Sequence, residues 1–213
     1  MLKIEKTVLP SPEQWEIIIE GMRNPMNSWD KMDSTTEETE CGFEFVLGAA
    51  DYKLMEKLAK GGAVHAKYRR MIPVWATINA PLYWWKEFDT YKVGTVANSC
   101  STMHKIHTKP FSRDDFSHDR MTDEALKVLD SLIEYLESER LKFAENKEDR
   151  SHWHNIIQLL PSSFNQMRTV TMNYENLIAI YYARRTHKLA EWHTLCDWIM
   201  SLPYAKELIA VKD

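Results

Sequence analysis

Glycine and long apolar runs are both scarce in this sequence, and each scarcity excludes a class of protein. The six glycines among 213 residues form neither a GxGxxG run nor a Walker loop, which excludes the common glycine-rich phosphate-binding loops. No stretch approaches the ~20 apolar residues that a membrane span needs, and the first residues lack the apolar core of a signal peptide. We therefore expect a soluble, cytoplasmic protein without a membrane partner.

Metal-binding and disulfide patterns are also missing. The cysteines are odd in number and widely spaced, with no CxxC pair: Cys41, Cys100 and Cys196. This usage is typical of free thiols in a reducing compartment and argues against a disulfide framework or a zinc site. Two close histidine pairs, His104/His107 and His152/His154, belong to no HExxH-like pattern. We therefore predict no metal site.

The net charge and the length of the chain limit the possible partners and the number of domains. The formal net charge is −4, which argues against an extended nucleic-acid-binding surface, so we predict no nucleic-acid partner. A chain of 213 residues with 44% hydrophobic residues suits one domain with a sizeable core. We predict a single domain over 1–213.

The apolar pattern predicts a few strands among many helices. Alternation favours a strand at 2–8, and β-branched and aromatic residues favour strands at 43–47 and 71–78. Helical spacing predicts helices that begin at Pro12, Asp51 and Thr122, and others over 82–92, 151–160, 173–185 and 190–200. This mixture favours an α+β fold.

Local signals predict where several elements begin and end. Ser11 and Gln14 match a capping box, and Asp51 is expected to cap the helix that follows it. Pro73 suggests an edge strand or a bulge. The polar and acidic segment 27–42 shows little periodicity, so we predict a loop that is either mobile or folded over a site.

The most unusual stretch runs from Asn79 to His104. The rings of Trp84, Trp85 and Phe88 fall at helical spacing, so they either form core or stack on a flat ligand. A small polar cluster around Cys100 follows. Cys100 is either a nucleophile, which would need a neighbouring base or positive field, or a small packing residue.

Arg184 and Arg185, near Lys188, form a second candidate site. They either bind a phosphate through charge-assisted hydrogen bonds or lie on a solvated helix face. None of these residues by itself names a reaction.

Two separated stretches resemble the flavin-dependent thymidylate synthases. In that family a short helix leads to a histidine, a strand, Ala-Pro and a helix that carries the signature RHRxxSxNExSxR. Here GGAVH ends at His65, a predicted strand and Ala80-Pro81 follow, and the signature aligns without gaps with 90–102, TYKVGTVANSCST.

The second stretch runs from Leu160 to Trp198. The family has Leu-Pro, an Asn twelve residues after the proline, and a helix with an Arg followed by AQWE. Here Asn173 follows Pro161 at that interval, Arg184 and Arg185 lie on the helix, and 190–193 reads AEWH. The resemblance thus covers most of the chain in the same order.

Several charged residues of the family are replaced. Lys92 keeps one basic charge of the signature, and Cys100 stands at the position of the active-site serine. Other residues stand at positions where the family has Arg, His, Glu or Gln: Thr90, Tyr91, Asn98, Thr102, Glu175 and Glu191. Because a guanidinium fork has no conservative substitute, either the ligands differ or other basic groups hold them: Lys86, Lys92, Arg168 and the Arg184/Arg185 pair.

The resemblance implies a fold and an activity. The fold is a thymidylate synthase-complementing-like fold, a twisted, mainly antiparallel sheet packed with several helices. The activity is the transfer of a one-carbon unit to C5 of a pyrimidine deoxynucleotide, from dUMP to dTMP, with FAD as cofactor and NADPH and methylene-tetrahydrofolate as co-substrates. The implied assembly is a homotetramer. The alternative is a nucleotide- or flavin-binding oligomer of the same fold with lost or changed chemistry, such as hydroxymethylation.

The resemblance also implies roles for single residues. Those expected in catalysis are Cys100, Ser101 and Arg185. Those expected to bind the nucleotide are Arg184, Arg185, Glu87, Ser99 and Arg168. Those expected to bind the flavin are His65, Tyr91, Lys92, Asn98 and Asn173.

Overall fold

A computed structural model describes residues 1–40 and 42–209 as a mixed helical and antiparallel-sheet protein, 53% helical and 19% strand. The strands are β1 Lys3–Val8, β2 Thr35–Thr39, β3 Gly42–Val46, β4 Pro73–Pro81, β5 Val96–Ser99 and β6 Asn165–Asn173. The helices are α1 Pro12–Arg23, α2 Ala49–Lys60, α3 Leu82–Phe88, α4 Thr102–Lys105, α5 Asp123–Glu145, α6 Ser151–Leu159, α7 Tyr174–Arg184, α8 Ala190–Ser201 and α9 Ala205–Leu208. The α+β prediction is confirmed.

Four of the strands form one sheet in the order β1-β4-β6-β5. β4 therefore has a neighbour on each side, and the expectation of an edge strand at Pro73 is wrong. Pro73 is the first residue of β4, a position where the missing N–H does not interrupt the ladder. β6 was not predicted, because no clear apolar alternation marks it.

The remaining two strands form an antiparallel hairpin, with Thr35 opposite Val46 and Thr39 opposite Gly42. The prediction of an irregular loop over 27–42 is therefore wrong. Residues 29–31 form a 3₁₀ turn, and threonines supply the β propensity of β2 despite its low hydrophobicity. Cys41 lies outside the described residues.

The first turns of two helices are capped in different ways, one by a neighbouring residue and one by a residue far away in the sequence. At α1, the Ser11 hydroxyl accepts from the Gln14 N–H at 3.4 Å and the Ser11 N–H donates to Gln14 Oε1 at 2.9 Å, so the capping box is confirmed. At α2, the expectation that Asp51 is the cap is wrong. The Asp33 carboxylate accepts from the Ala50 and Asp51 N–H groups at 2.8 and 2.9 Å, while Asp51 itself is fully buried.

The described chain divides into two compact units. The first comprises 1–5, 77–90 and 97–169, and the second comprises 6–40, 42–76, 91–96 and 170–209. In the first unit, α5 and α6 pack around a core of Ile106, Phe111, Phe116, Leu129, Leu136 and Ile156. Its aromatic helix α3 is shorter than the predicted 82–92 and buries Trp84, Trp85 and Phe88, which confirms the core interpretation of these rings.

The second unit contains α1, the β2–β3 hairpin, α2, α7, α8 and α9. The Trp15 ring of α1 stacks on Phe45 of the hairpin at 5.6 Å between centroids. Trp192 of α8 is fully buried, and α8 packs against α7. This packing fixes the end of α7, where the Arg184/Arg185 pair lies.

Candidate active site

A cavity of about 320 Å³ in the first unit contains the predicted cysteine. It lies where β5 ends, α4 begins and β6 begins. Cations, carboxylates and apolar side chains share its wall, whose residues include Cys100, Ser101, Lys105, Ile106, Lys109, Asp114, Asp115, Phe164, Gln166 and Met167. Lys109 is paired with Asp115, whereas Lys105 forms no salt bridge within the described residues. The rings and aliphatic groups of this lining suit a flat molecule, and the ammonium group of Lys105 attracts a negative charge.

Backbone hydrogen bonds hold Cys100 and Ser101 at this cavity. The Cys100 N–H donates to the Met167 carbonyl at 2.9 Å, which extends the pairing of β5 with β6 by one residue. The Ser101 hydroxyl accepts from the His104 N–H at 3.1 Å and caps α4. The Cys100 side chain is exposed, whereas burial raises the pKa of the Cys196 thiol to about 11. Of these two thiols, Cys100 is the one available for chemistry.

Gln166, a residue that the sequence analysis did not identify, links neighbouring residues of the cavity wall through its side-chain amide. Its amide nitrogen donates to the Cys100 carbonyl at 3.0 Å and to the Thr102 hydroxyl at 2.8 Å. Its amide oxygen accepts from Arg168 Nε at 2.9 Å. No local signal marks Gln166, because the two groups that it binds in the cavity wall, on Cys100 and Thr102, lie more than sixty residues away in the chain.

The guanidinium of Arg168 is enclosed by protein groups. It donates to the Asp89 carboxylate at 2.7 Å and lies over the Trp85 ring at 4.4 Å. Trp85 in turn donates its indole N–H to the Gln166 carbonyl at 2.8 Å. Arg168 therefore supports the cavity wall through Gln166, and the cavity lining itself takes its cations from Lys105 and Lys109.

The other candidates of the first unit surround α3 and β5. Glu87 is half-buried on α3, and its carbonyl accepts from the Thr90 hydroxyl at 2.7 Å. Asn98 and Ser99 are exposed at the end of β5, immediately before Cys100.

The Arg184/Arg185 pair lies in the second unit, and its two members differ. Arg184 Nε donates to the Tyr91 hydroxyl at 2.8 Å, and its guanidinium lies over the Trp192 ring at 4.4 Å. The exposed Arg185 lies over the Tyr182 ring at 4.9 Å. The structure thus brings Arg184 and Tyr91 together, a pairing that sequence spacing alone does not reveal.

The loop after Tyr91 is tied to the start of α7. Asn176 donates to the Val93 carbonyl at 2.7 Å, and Gly94 has a φ of +74°. A Cβ at Gly94 would lie 3.1 Å from the Asn176 side chain, so this close approach requires glycine. Asn173 caps α7 reciprocally with Asn176, each side-chain oxygen accepting at 3.0 Å from the other's N–H. Lys92 is exposed in this loop.

His65 and Glu175 complete the second unit's candidates. His65 is exposed in the turn after α2, where its N–H donates to the Gly62 carbonyl at 3.0 Å. Glu175, which stands where the family has an arginine, forms an ion pair with Arg69 at 3.1 Å. The reversed charge at 175 therefore has an internal partner that sequence comparison did not suggest.

No cluster of three or more His, Cys, Asp or Glu side chains within 1–40 and 42–209 has the arrangement of a metal site. In the same residues, no helix combines the length and the apolar composition that crossing a bilayer requires.

Comparison with known proteins gives structural matches alone. No family model matches the sequence, and no curated protein matches it either. Thymidylate synthase X (ThyX) from Helicobacter pylori, solved with FAD and dUMP, is 14% identical with a TM-score of 0.65, over 100% of this chain and 99% of that chain. A second H. pylori ThyX structure, complexed with FAD and dUMP, is 14% identical with a TM-score of 0.62, over 98% and 97%.

A third solved structure widens the comparison. The UMP/dUMP methylase PolB from Streptomyces cacaoi, bound with 5-Br dUMP, is 13% identical with a TM-score of 0.58, over 99% of this chain and 92% of that chain. At these identities the likeness establishes the fold. The ThyX-like fold predicted from the sequence is confirmed.

Proposed function

We propose that this protein is a flavin-dependent thymidylate synthase-like enzyme, built as a single domain over 1–213. It transfers a one-carbon unit to C5 of a pyrimidine deoxynucleotide and converts dUMP to dTMP. The observation that carries this proposal is the ThyX-like fold along the whole chain, shared with structures that contain dUMP or its 5-bromo analogue. The resemblance of the sequence to the same family also supports it.

The nucleotide is proposed to bind at the Cys100 cavity. A volume of about 320 Å³ falls within the range of about 300–1,000 Å³ that is usual for small-molecule sites. Cys100 and Ser101 face the pyrimidine ring, and Lys105 attracts the phosphate. The proposed substrate-binding residues also include Glu87, Ser99, Arg168, Arg184 and Arg185.

FAD is the proposed cofactor. The Arg184 guanidinium between the Tyr91 and Trp192 rings fits an anionic group attached to a flat ring, which supports flavin nucleotide binding in this region. The residues proposed to hold FAD are His65, Tyr91, Lys92, Asn98 and Asn173. When bound, FAD supplies redox chemistry, with NADPH as reductant and methylene-tetrahydrofolate as the source of carbon.

The protein's own contribution is to position the base and to supply electrostatics. Cys100, Ser101 and Arg185 are the proposed catalytic residues. We also propose a homotetramer in the cytoplasm, as the family resemblance implies.

Two measurements test the proposal. The purified protein should absorb in the flavin bands, and its thermal stability should rise with added FAD or dUMP. Labelled dUMP incubated with methylene-tetrahydrofolate and NADPH should give labelled dTMP by mass analysis. A Cys100→Ala variant should lose at least ten-fold in product formation and still bind flavin. A colourless protein whose thermal stability changes with neither FAD nor dUMP would contradict the proposal.

A second candidate is a nucleotide- or flavin-binding oligomer whose methylation chemistry is lost or changed, for example to hydroxymethylation. The hydrogen bonds from Arg168 to Asp89 and Gln166 favour this second candidate, because they use the guanidinium to support the cavity wall rather than to bind a ligand. Binding of dUMP without turnover, or a hydroxymethylated product, would support this candidate. If Arg184→Ala and Arg185→Ala leave nucleotide binding unchanged, the ligand-binding roles proposed for both residues are wrong.

A further inference from the structure

A second cavity in the first unit, of about 390 Å³, is lined by groups that attract anions. It lies between α4, the end of α5 and the start of α6. We define it as the basic groove by six residues: His104, His107, Phe143, Lys147, Arg150 and Trp153. Two of the six are permanently cationic, two are imidazoles, two are aromatic rings, and none is a carboxylate.

The two permanent cations of the groove are available to a ligand. Lys147 and Arg150 are exposed and take part in no salt bridge with any described residue. The carboxylates nearest to them in the sequence are Glu145, Glu148 and Asp149, and none of the three lines the groove or forms a salt bridge with either cation in the described part of the chain.

Two carboxylates of this region, Glu139 and Asp149, have partners outside the groove. Glu139 is buried and accepts from Lys142, His152 and Asn155, each at 2.8 Å. These hydrogen bonds, of which that from Lys142 contributes most, followed by Asn155 and His152, lower the pKa of Glu139 to about 2. Asp149 accepts from the Ser151 N–H at 2.9 Å. Neither Glu139 nor Asp149 is therefore paired with Lys147 or Arg150.

His107 gives a second and independent sign of a missing ligand. Its Nδ1 atom is buried and has no hydrogen-bond partner within residues 1–40 and 42–209. An unsatisfied buried polar atom is destabilising until it finds a partner. Burial, and then the positive charges of Lys147, Lys105 and Arg140, lower the pKa of this imidazole. The groove therefore has a positive electrostatic environment before any ligand enters.

The aromatic walls are held in place. The Trp153 indole N–H donates to the Met103 carbonyl at 2.9 Å, which fixes the indole ring beside α4. The Phe143 ring meets the His107 ring edge to face at 5.0 Å between centroids. A fixed indole beside a cluster of cations suits a ligand that joins a flat ring to a phosphate.

We propose that the basic groove binds a small phosphorylated molecule that carries an aromatic ring, such as a nucleoside diphosphate. The phosphates contact Lys147, Arg150 and the imidazoles, and the ring stacks on Trp153. This site shares no lining residue with the Cys100 cavity. The proposal stands whether or not the protein methylates dUMP.

Isothermal titration of the whole protein with ADP tests the site. ADP should bind. Lys147→Glu and Arg150→Glu should each weaken its affinity roughly ten-fold or more, because each removes a charge-assisted contact. Lys127→Glu, an exposed charge reversal on α5 outside the groove, should change the affinity less than two-fold.

Titration with inorganic pyrophosphate distinguishes the contribution of the aromatic ring to the affinity from the contribution of the phosphate charge. Pyrophosphate should bind roughly ten-fold more weakly than ADP, because it cannot stack on an aromatic ring. A Trp153→Leu variant should bring ADP down to the affinity of pyrophosphate. Thermal unfolding of each variant checks that it is folded. Failure of ADP to bind at millimolar concentration, or full binding by a Lys147→Glu/Arg150→Glu double variant that is folded, would overturn the proposal.

Discussion

Replacing Asp51 with alanine should destabilise the protein more than any other single change to a charged residue that we propose. The Asp51 carboxylate is fully buried and accepts from Arg23 Nε at 2.5 Å. It also accepts from the Ser34 hydroxyl and N–H at 2.7 and 2.8 Å and from the Asp33 N–H at 2.9 Å. Arg23 is itself only 3% exposed. The substitution leaves a buried guanidinium and two backbone donors without their acceptor.

The magnitude follows from these contacts. Breaking a buried ion pair by removing one partner costs about 3–5 kcal/mol. Because Asp51 also satisfies the Ser34 and Asp33 N–H groups, we expect a loss of about 5 kcal/mol in the free energy of unfolding. In a chain of this size, that corresponds to a fall of about 10–20 °C in melting temperature. Asp51→Asn, which keeps one acceptor oxygen, should lose about half as much.

Urea unfolding followed by circular dichroism measures the effect, and a double-mutant cycle identifies its cause. In the Arg23→Met background, Asp51→Ala should cost at least 1 kcal/mol less than in the wild type, because no buried charge is left behind. Asp30→Ala, an exposed acid in the same region, should change stability by no more than about 0.5 kcal/mol. A loss below about 1 kcal/mol for Asp51→Ala, or strict additivity in the cycle, would refute this reasoning.

Three further changes have expected outcomes. Since the pKa of Glu139 is lowered from 4.5 to about 2, its contribution to stability is complete above pH 4.5 and is lost as the pH falls towards 2. With solvent screening through the exposed Lys142, that contribution is about 1–2 kcal/mol, measurable by urea unfolding at pH 7 and pH 3. Gln166→Leu removes three hydrogen bonds and should cost about 2 kcal/mol in unfolding free energy. Gly94→Ala should cost about 1–2 kcal/mol and lower the melting temperature, because its φ is positive and its Cβ would press on Asn176.

Matched controls are available for the Glu139 and Gln166 predictions. A Glu139→Gln variant should lose the part of the pH dependence that comes from Glu139, so an unchanged difference between pH 7 and pH 3 counts against the assignment. Gln158→Leu changes an exposed glutamine on α6 and should be nearly neutral. Gly48, whose φ is −72°, is unsuitable as a control because a Cβ there would meet Asp33 at 2.2 Å. For Gly94→Ala, an unaltered melting temperature contradicts the close approach.

The sequence predicted those elements whose causes lie within a few residues. The capping box at Ser11 and Gln14 and the helices over 173–185 and 190–200 were found because caps and helical spacing are local. Thr35–Thr39 was missed because a polar strand is recognisable only beside its partner. Asp51 was assigned as a cap because the groups it binds, Arg23 and Ser34, lie 28 and 17 positions away.

The candidate site shows the same limit. Cys100 stood out as a cysteine in a polar cluster, and the structure gives it a cavity. The cations Lys105 and Lys109 in that cavity, and the role of Gln166, depend on how β5 and β6 pair, which no single stretch encodes. The pairing of Arg184 with Tyr91 joins residues 93 positions apart. A site that depends on such distant pairs can be recognised only once the fold is known.

The contacts within residues 11–60 join positions that are close in the sequence, and this has a consequence for folding during synthesis. Trp15 stacks on Phe45, and Asp51 binds Arg23 and Ser34, so this segment closes through loops of about thirty residues or fewer. Arg69, by contrast, reaches the Leu208 carbonyl across 139 positions. Short loops close at a small entropic cost and form early. The segment 11–60 should therefore resist proteolysis on the ribosome before α9 has been synthesised.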